Sequence, residues 1–269
     1  MDVLAFLPPL QFAHLRAVMG ERGPHRVHVA RSWADVESVL RREAIDVAVL
    51  DPTADGTMES APLLAVTRRF RSLPVVMYTQ LTPGSLKGIL ALAREGITEL
   101  VLHRFDDDPG RFRELLERLA SNALAEALIG RLQPRLATLP IGLADAVAEC
   151  FRHPGRYGVA EDLARRGALS RRTLYRALDA AGLGSPSRVV KGARLLRAYA
   201  YLRDNGYSLE DVAMKCGFGS RQRFARHVRS LAGMQPRELR RRVTPEAFVT
   251  MLAAHLGEPA TAGDDDEVS

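Results

Sequence analysis

The chain is short of several things. Its 269 residues include two cysteines, Cys150 and Cys216, one tryptophan, Trp33, and only three lysines beside 35 arginines. Two cysteines cannot build a disulfide framework, and each is expected to pack as a small apolar side chain in a reducing compartment. No apolar run approaches the ~20 residues of a membrane span, which excludes a spanning helix as an expectation. The start lacks a basic region followed by an apolar stretch and a small-residue cleavage site, so no secretion signal is expected and a cytoplasmic protein is. The seven histidines form no spaced metal-ligand pairs with cysteine or acid, and His25 and His28 fall on opposite faces of an expected strand. Glycine-rich phosphate loops are missing as well. No enzyme constellation emerges, and no cofactor or metal is expected.

What is present is unevenly distributed. The net charge is +6, yet residues 152–242 hold 21 Lys/Arg against 7 Asp/Glu, residues 1–151 hold 17 against 19, and the part from Val243 onward holds none against 6. Positive charge concentrated in one region is either a soluble basic surface or the electrostatic footprint of a polyanion partner, and the motif repeated in that region favours double-stranded DNA.

That region contains a repeated unit. Ser208 to Asp211 pairs a hydroxyl with a carboxylate three positions on, a helix start. Val212 and Ala213 follow on the buried side, Gly217 interrupts, and Ser220 caps a second helix bearing Arg221, Gln222, Arg223, Phe224, Arg226, His227 and Val228. Two short helices joined by a tight glycine turn make a helix-turn-helix, whose second helix lies in the major groove. Glu161 to Ala164 answers Glu210 to Ala213, Ser170 to Arg176 answers Ser220 to Arg226, and Pro186 answers Pro236, an offset of about 50 residues. Between the copies, Val190, Arg194, Leu195, Ala198 and Leu202 recur at helical spacing, so Ser187 to Asn205 reads as a connecting helix.

Gly217-Phe218, Phe224-Ala225-Arg226, Gly233 to Pro236 and Arg240 resemble the signature of the AraC/XylS family of transcription regulators, and Arg194-Leu195, Ala198 and Leu202 resemble its linker helix. Val228 and Ala232 stand where aromatics are common in that family, and Ala168 replaces the turn glycine of the first motif. The resemblance covers about residues 141–242 and implies a regulator that reads two successive major grooves of promoter or operator DNA. It implies a bacterial, nucleoid-associated location and RNA polymerase as a further partner. It places the outward residues of the first motif at Arg171, Arg172, Tyr175 and Arg176, matched in the second by Arg221, Gln222, Arg223 and Arg226. Arginine can pair bidentately with guanine and glutamine with adenine, so Arg172, Arg176, Gln222 and Arg226 are the base-reading candidates. Arg171, Arg221 and Arg223 suit phosphate.

The first ~120 residues alternate short apolar runs with amphipathic stretches, the pattern of a parallel sheet flanked by helices. Expected strands are 3–7, 26–30, 47–50, 75–78 and 99–102, with helices at 10–19, 33–42, 61–71, 85–94 and 109–122. The fold class is therefore α/β flavodoxin-like, followed by an all-α domain with two helix-turn-helix motifs. The layout resembles the receiver domains of two-component signalling. Asp51 stands where a receiver carries its phosphorylated aspartate, and Thr79 where it has a hydroxyl. The acidic pair that would hold Mg²⁺ is replaced by Leu7-Pro8-Pro9, and the lysine position falls on His103 or Arg104. Asp51 is either the phosphoacceptor of a degraded site, which would make the chain a phosphorylation-controlled response regulator, or a cap on the local turn beside Thr53. The expectation is a pseudo-receiver that regulates through contacts. A non-specific nucleoid-type DNA-binding protein is the remaining alternative.

The domain expectation is 1–123 receiver-like, 124–140 a helical linker, 141–243 the double helix-turn-helix, and 244–269 a helix with an acidic disordered tail. Leu124, Ala127, Leu128 and Leu132 form a stripe that either pairs two subunits, giving a homodimer, or packs within the chain. Pro134 and Pro140 mark a connector.

Overall fold

A computed structural model describes residues 1–20, 25–56, 58, 60–120 and 122–257. The chain divides into two compact units, residues 1–121 with 204–207, and residues 122–203 with 208 onward. The acidic stretch 263–269 lies outside the described residues.

The first unit has strands β1 (Asp2–Phe6), β2 (Arg26–Val29), β3 (Val47–Leu50), β4 (Val75–Thr79) and β5 (Leu100–Leu102). Helices α1 (Pro9–Met19), α2 (Trp33–Arg42), α3 (Ser60–Arg69), α4 (Pro83–Arg94) and α5 (Pro109–Ala120) alternate with them. The five strands are parallel in the order β2-β1-β3-β4-β5, the flavodoxin-like arrangement. β3 is buried on both faces, as its unbroken Val-Ala-Val-Leu run requires. One face packs Val3, Ala5, Val47, Val49, Val76 and Tyr78 against Leu15 and Val18 of α1 and Phe112 and Leu116 of α5. Local chemistry sets the helix starts. Ser32 Oγ accepts from the Asp35 amide at 3.1 Å, and Thr82 and Ser85 form a reciprocal box at the start of α4.

The second unit is helical: α6 (Ala123–Leu136), α7 (Ile141–Arg152), α8 (Ala160–Arg166), α9 (Arg171–Ala180), α10 (Pro186–Leu202), α11 (Leu209–Lys215), α12 (Arg221–Ala232), α13 (Pro236–Arg242) and α14 (Pro245–Leu256). A 3₁₀ turn at Pro154–Arg156 follows α7. α5 and α6 are separate helices, because Asn122 Oδ1 accepts from the Leu124 amide at 3.0 Å and starts a new one. One expectation needs correction. Pro134 lies inside α6 rather than in a connector, since burial of Leu132 and Leu136 holds the last turn helical across it. Of the two roles open to the leucine stripe, packing within the chain is the observed one. Leu128 and Leu132 are buried, and α6 packs on α14 and α7, with Arg152 donating twice to Glu126 at 2.7 and 3.1 Å. Leu124 is half-buried and Ala127 exposed at the edge of that contact.

Candidate nucleic-acid interface and a sealed carboxylate

Each motif is built from its capping residues upward. At the start of α11, Ser208 N–H donates to Asp211 Oδ2 at 2.8 Å, and the Asp211 amide donates back to Ser208 Oγ at 3.1 Å. The first motif has no hydroxyl there. Asp162 instead accepts from the Gly158 and Val159 amides at 2.8 and 3.1 Å, so the carboxylate alone carries the cap of α8. Both reading helices begin on a serine: Ser170 Oγ accepts from the Thr173 amide and Ser220 Oγ from the Arg223 amide, each at 3.2 Å.

The turns differ. Between α8 and α9 run four residues, 167–170, and between α11 and α12 five, 216–220. The second turn meets its left-handed positions with Gly217 (φ 72°) and Gly219 (φ 68°), whereas the first forces Ala168 to φ 51°. Ala168 takes the place that Gly217 holds in the second turn, and it is one of two non-glycine residues with positive φ among the described residues.

The reading helices nevertheless present the same face. In α9, Leu174 and Leu178 are buried while Arg171, Arg172 and Arg176 are exposed; in α12, Phe224 and Val228 are buried while Arg221, Gln222, Arg223 and Arg226 are exposed. Tyr175 is half-buried, with the Arg171 guanidinium over its ring at 5.7 Å. All eight candidate residues therefore lie on the two reading helices, seven of them exposed. Phe218 anchors α12, its ring 5.2 Å from Phe224 and 5.5 Å from His227. The 17 residues of α10 connect the motifs over ~26 Å at 1.5 Å per residue. Helix α14 docks on this frame through Phe248, stacked on Tyr199 at 4.1 Å and 6°, with Leu252 and Leu256 buried beside it.

In the first unit, Asp51 follows β3 at the carboxyl edge of the sheet, beside the point where strand order reverses. It is 0% exposed. Its Oδ1 accepts from the Thr53 amide at 2.8 Å, the Thr53 hydroxyl at 2.7 Å and the Thr79 hydroxyl at 3.0 Å. Its Oδ2 accepts from Gln11 Nε2 at 2.6 Å, and the same amide group reaches the Tyr78 carbonyl at 3.1 Å. No group of three or more His, Cys, Asp or Glu among the described residues is placed to hold a metal ion.

The structure pairs His103 with Asp107 and Tyr78. His103 Nδ1 lies 2.6 Å from Asp107 Oδ2 and 2.7 Å from the Tyr78 hydroxyl, which itself donates to Asp107 Oδ2 at 2.6 Å. Burial alone would raise the Asp107 pKa. Hydrogen bonds from Tyr78, His103 and the Arg104 amide outweigh it and hold the carboxyl below its usual range. Burial, with the Asp107 carboxylate next, pushes the Tyr78 phenol well up. Arg104 is exposed at φ 70°. Gln11 and Asp107 were not legible as site residues: each is one polar residue whose partner lies far off in sequence or on a loop.

Sheet order in the first unit and two capped helix pairs in the second define a flavodoxin-like α/β unit and a helical unit with two helix-turn-helix motifs. A family model described as a helix-turn-helix domain matches residues 163–242. Over 131 residues the chain is 32% identical to the HTH-type transcriptional activator RhaS of Klebsiella pneumoniae, which covers 48% of this chain and 44% of that protein. Over 132 residues it is 33% identical to the HTH-type transcriptional activator RhaS of Escherichia fergusonii, with the same coverage of 48% and 44%. The chain thus spans less than half the length of the curated relatives it matches. Among solved structures, full-length FixJ from B. japonicum aligns with 81% of this chain and 97% of its own at 16% identity and a TM-score of 0.39. So loose a likeness carries no argument, and the flavodoxin-like assignment stands on the sheet order above. No helix among the described residues is long and apolar enough to cross a membrane.

Proposed function

We propose that the chain is a sequence-specific DNA-binding transcription regulator that reads two successive major grooves. The observation that carries this reading is the repeated face: two capped helices, 50 residues apart, each exposing arginines around a buried leucine or phenylalanine. Arg172, Arg176, Gln222 and Arg226 contact base edges, while Arg171, Arg221 and Arg223 contact phosphate. Tyr175 covers sugar or methyl surface. Arg240, Arg241 and Arg242 in the last turn of α13 add sequence-independent attraction. The relatives' designation as transcriptional activators supports RNA polymerase as a second partner, and the cytoplasm as the place of action.

The first unit regulates through contacts rather than phosphate. Asp51 supports this: its oxygens are occupied by Gln11, Thr53 and Thr79, and the position of a receiver's acidic pair is held by Leu7-Pro8-Pro9. Selection of bound fragments from the source genome, followed by competition with random duplex, tests the main reading. A shared sequence that resists random competitor is expected. Fragments with no common sequence, released by any duplex, would identify a non-specific packing protein instead.

A further inference from the structure

The linker helix α10 carries one guanidinium that touches both motifs at once. Arg194 is half-buried. Its Nη2 donates to the Gly158 carbonyl at 2.6 Å and to the Tyr157 carbonyl at 3.4 Å, and its Nη1 donates to the Gly217 carbonyl at 3.3 Å. Tyr157 and Gly158 lead into α8, the supporting helix of the first motif. Gly217 is the left-handed turn residue between α11 and α12 of the second. The acceptors are thus three backbone carbonyls, drawn from two elements that approach α10 from different parts of the sequence.

Both ends of this clamp are braced. Asp162 accepts from the Gly158 and Val159 amides, so the segment before α8 is held through its N–H groups by one side chain and through its carbonyls by another. At the other end, a Cβ on Gly217 would lie 3.4 Å from Arg194 Cζ, so the turn already rests on the guanidinium at van der Waals distance. Burial lowers the Arg194 pKa from the usual arginine value, but arginine stays charged at neutral pH. A planar, rigid fork fixes the separation of the groups it bonds, which a flexible ammonium does not.

We infer that Arg194 is a positioning residue that sets the spacing of the two reading helices, and through it the distance between the two blocks of base pairs that the chain accepts. This rests on the DNA-reading assignment above. Removing the fork leaves each motif folded around its own core, with Leu174 and Leu178 in one and Phe224 and Val228 in the other. What is lost is the fixed relation between them, which makes the second binding event intramolecular with a defined geometry.

The test uses the full chain, R194M and R194K. The probe is the duplex that the wild type selects from a random-sequence pool, in three forms: as selected, with one half scrambled, and with one base pair inserted between the halves. An inserted pair displaces one half by ~3.4 Å along the axis. The wild type is expected to lose about tenfold or more in affinity on insertion. R194M is expected to bind the selected duplex about tenfold more weakly, the half-scrambled duplex within about twofold of wild type, and to lose about threefold or less on insertion. R194K should fall between them, and it carries the test if R194M does not show the wild-type circular dichroism and melting. An insertion penalty in a folded variant equal to that of the wild type would overturn the role of Arg194, as would equal losses on all three duplexes. A wild type that selects no sequence would refute both this role and the DNA-reading assignment, which keeps the two failures distinguishable.

Discussion

Gln11 donates a 2.6 Å hydrogen bond to Asp51, linking the first turn of α1 to the carboxyl end of β3 across 40 residues of sequence. With Thr53 and Thr79 on the other oxygen, it converts an acidic residue at a sheet switch point into a buried structural node. An unpaired buried carboxylate oxygen costs more than the bond contributes when intact.

Removing that donor is therefore expected to weaken the first unit. Gln11→Ala should lower its stability by ~1–3 kcal/mol in urea unfolding, because Oδ2 loses its partner away from water. In the wild type, acetyl phosphate with Mg²⁺ should leave the intact mass unchanged. Stoichiometric, Mg²⁺-dependent labelling of Asp51 would overturn the contact-regulated reading.

Ala168 makes the opposite prediction. Its φ of 51° costs a residue with a Cβ ~1–2 kcal/mol, partly offset in glycine by a larger unfolded-state entropy. Ala168→Gly should raise stability by ~0.5–1 kcal/mol and leave the DNA-binding face untouched. A fall in melting temperature would show that the turn carries no such strain.

On the face proposed to read DNA, Arg226→Ala should cost ~1–3 kcal/mol on the selected site and relax preference at one base pair. Binding to a panel of single-base variants checks this. Equal losses on selected and random duplex would mean that Arg226 touches only phosphate.

Glu149 contributes to the acid limb of the second unit, beside Glu126, whose carboxyl the Arg152 hydrogen bond also holds below the usual glutamate range. Burial would raise the Glu149 pKa, but the Tyr157 hydroxyl at 3.0 Å, Arg156 at 3.0 Å and Arg166 at 2.9 Å bring it below the usual glutamate value. A carboxyl with a depressed folded-state pKa stabilises fully above its unfolded value, and that contribution is lost as pH falls through the folded one. Stability should thus hold steady down to about pH 4.3, the unfolded glutamate pKa, and decline below it. Glu149→Gln should cost ~1–2 kcal/mol at neutral pH and flatten the decline. An unchanged acid limb in urea titrations at several pH values would contradict the assignment.

Much of this architecture was legible in the residues themselves. Valine-rich runs such as Val47–Leu50 mark buried parallel strands, and their observed ends differ from the expected ones by a residue or two, as at Thr79, where β4 runs one residue further. The two matching helix faces were legible because the chain writes them twice: Ser170 and Ser220, Leu174 and Phe224, Arg176 and Arg226 hold the same places. Tertiary packing decided the rest. Pro134 reads as a break until Leu132 and Leu136 are seen to be covered, and the α6 stripe looks unpartnered until α14, over 100 residues later, lies on it. Gln11 shows no role in the sequence because nothing local places it against Asp51. Arg194 fits a helical stripe, but its three carbonyl acceptors come from turns that no spacing rule brings together.

Hydroxyl-radical footprinting of the full chain on its selected duplex tests the central reading most directly. Two protected segments on one face, about 10 base pairs apart, are expected, each disturbed by base changes inside it. Protection confined to a single segment, or protection indifferent to the order of bases, would contradict it.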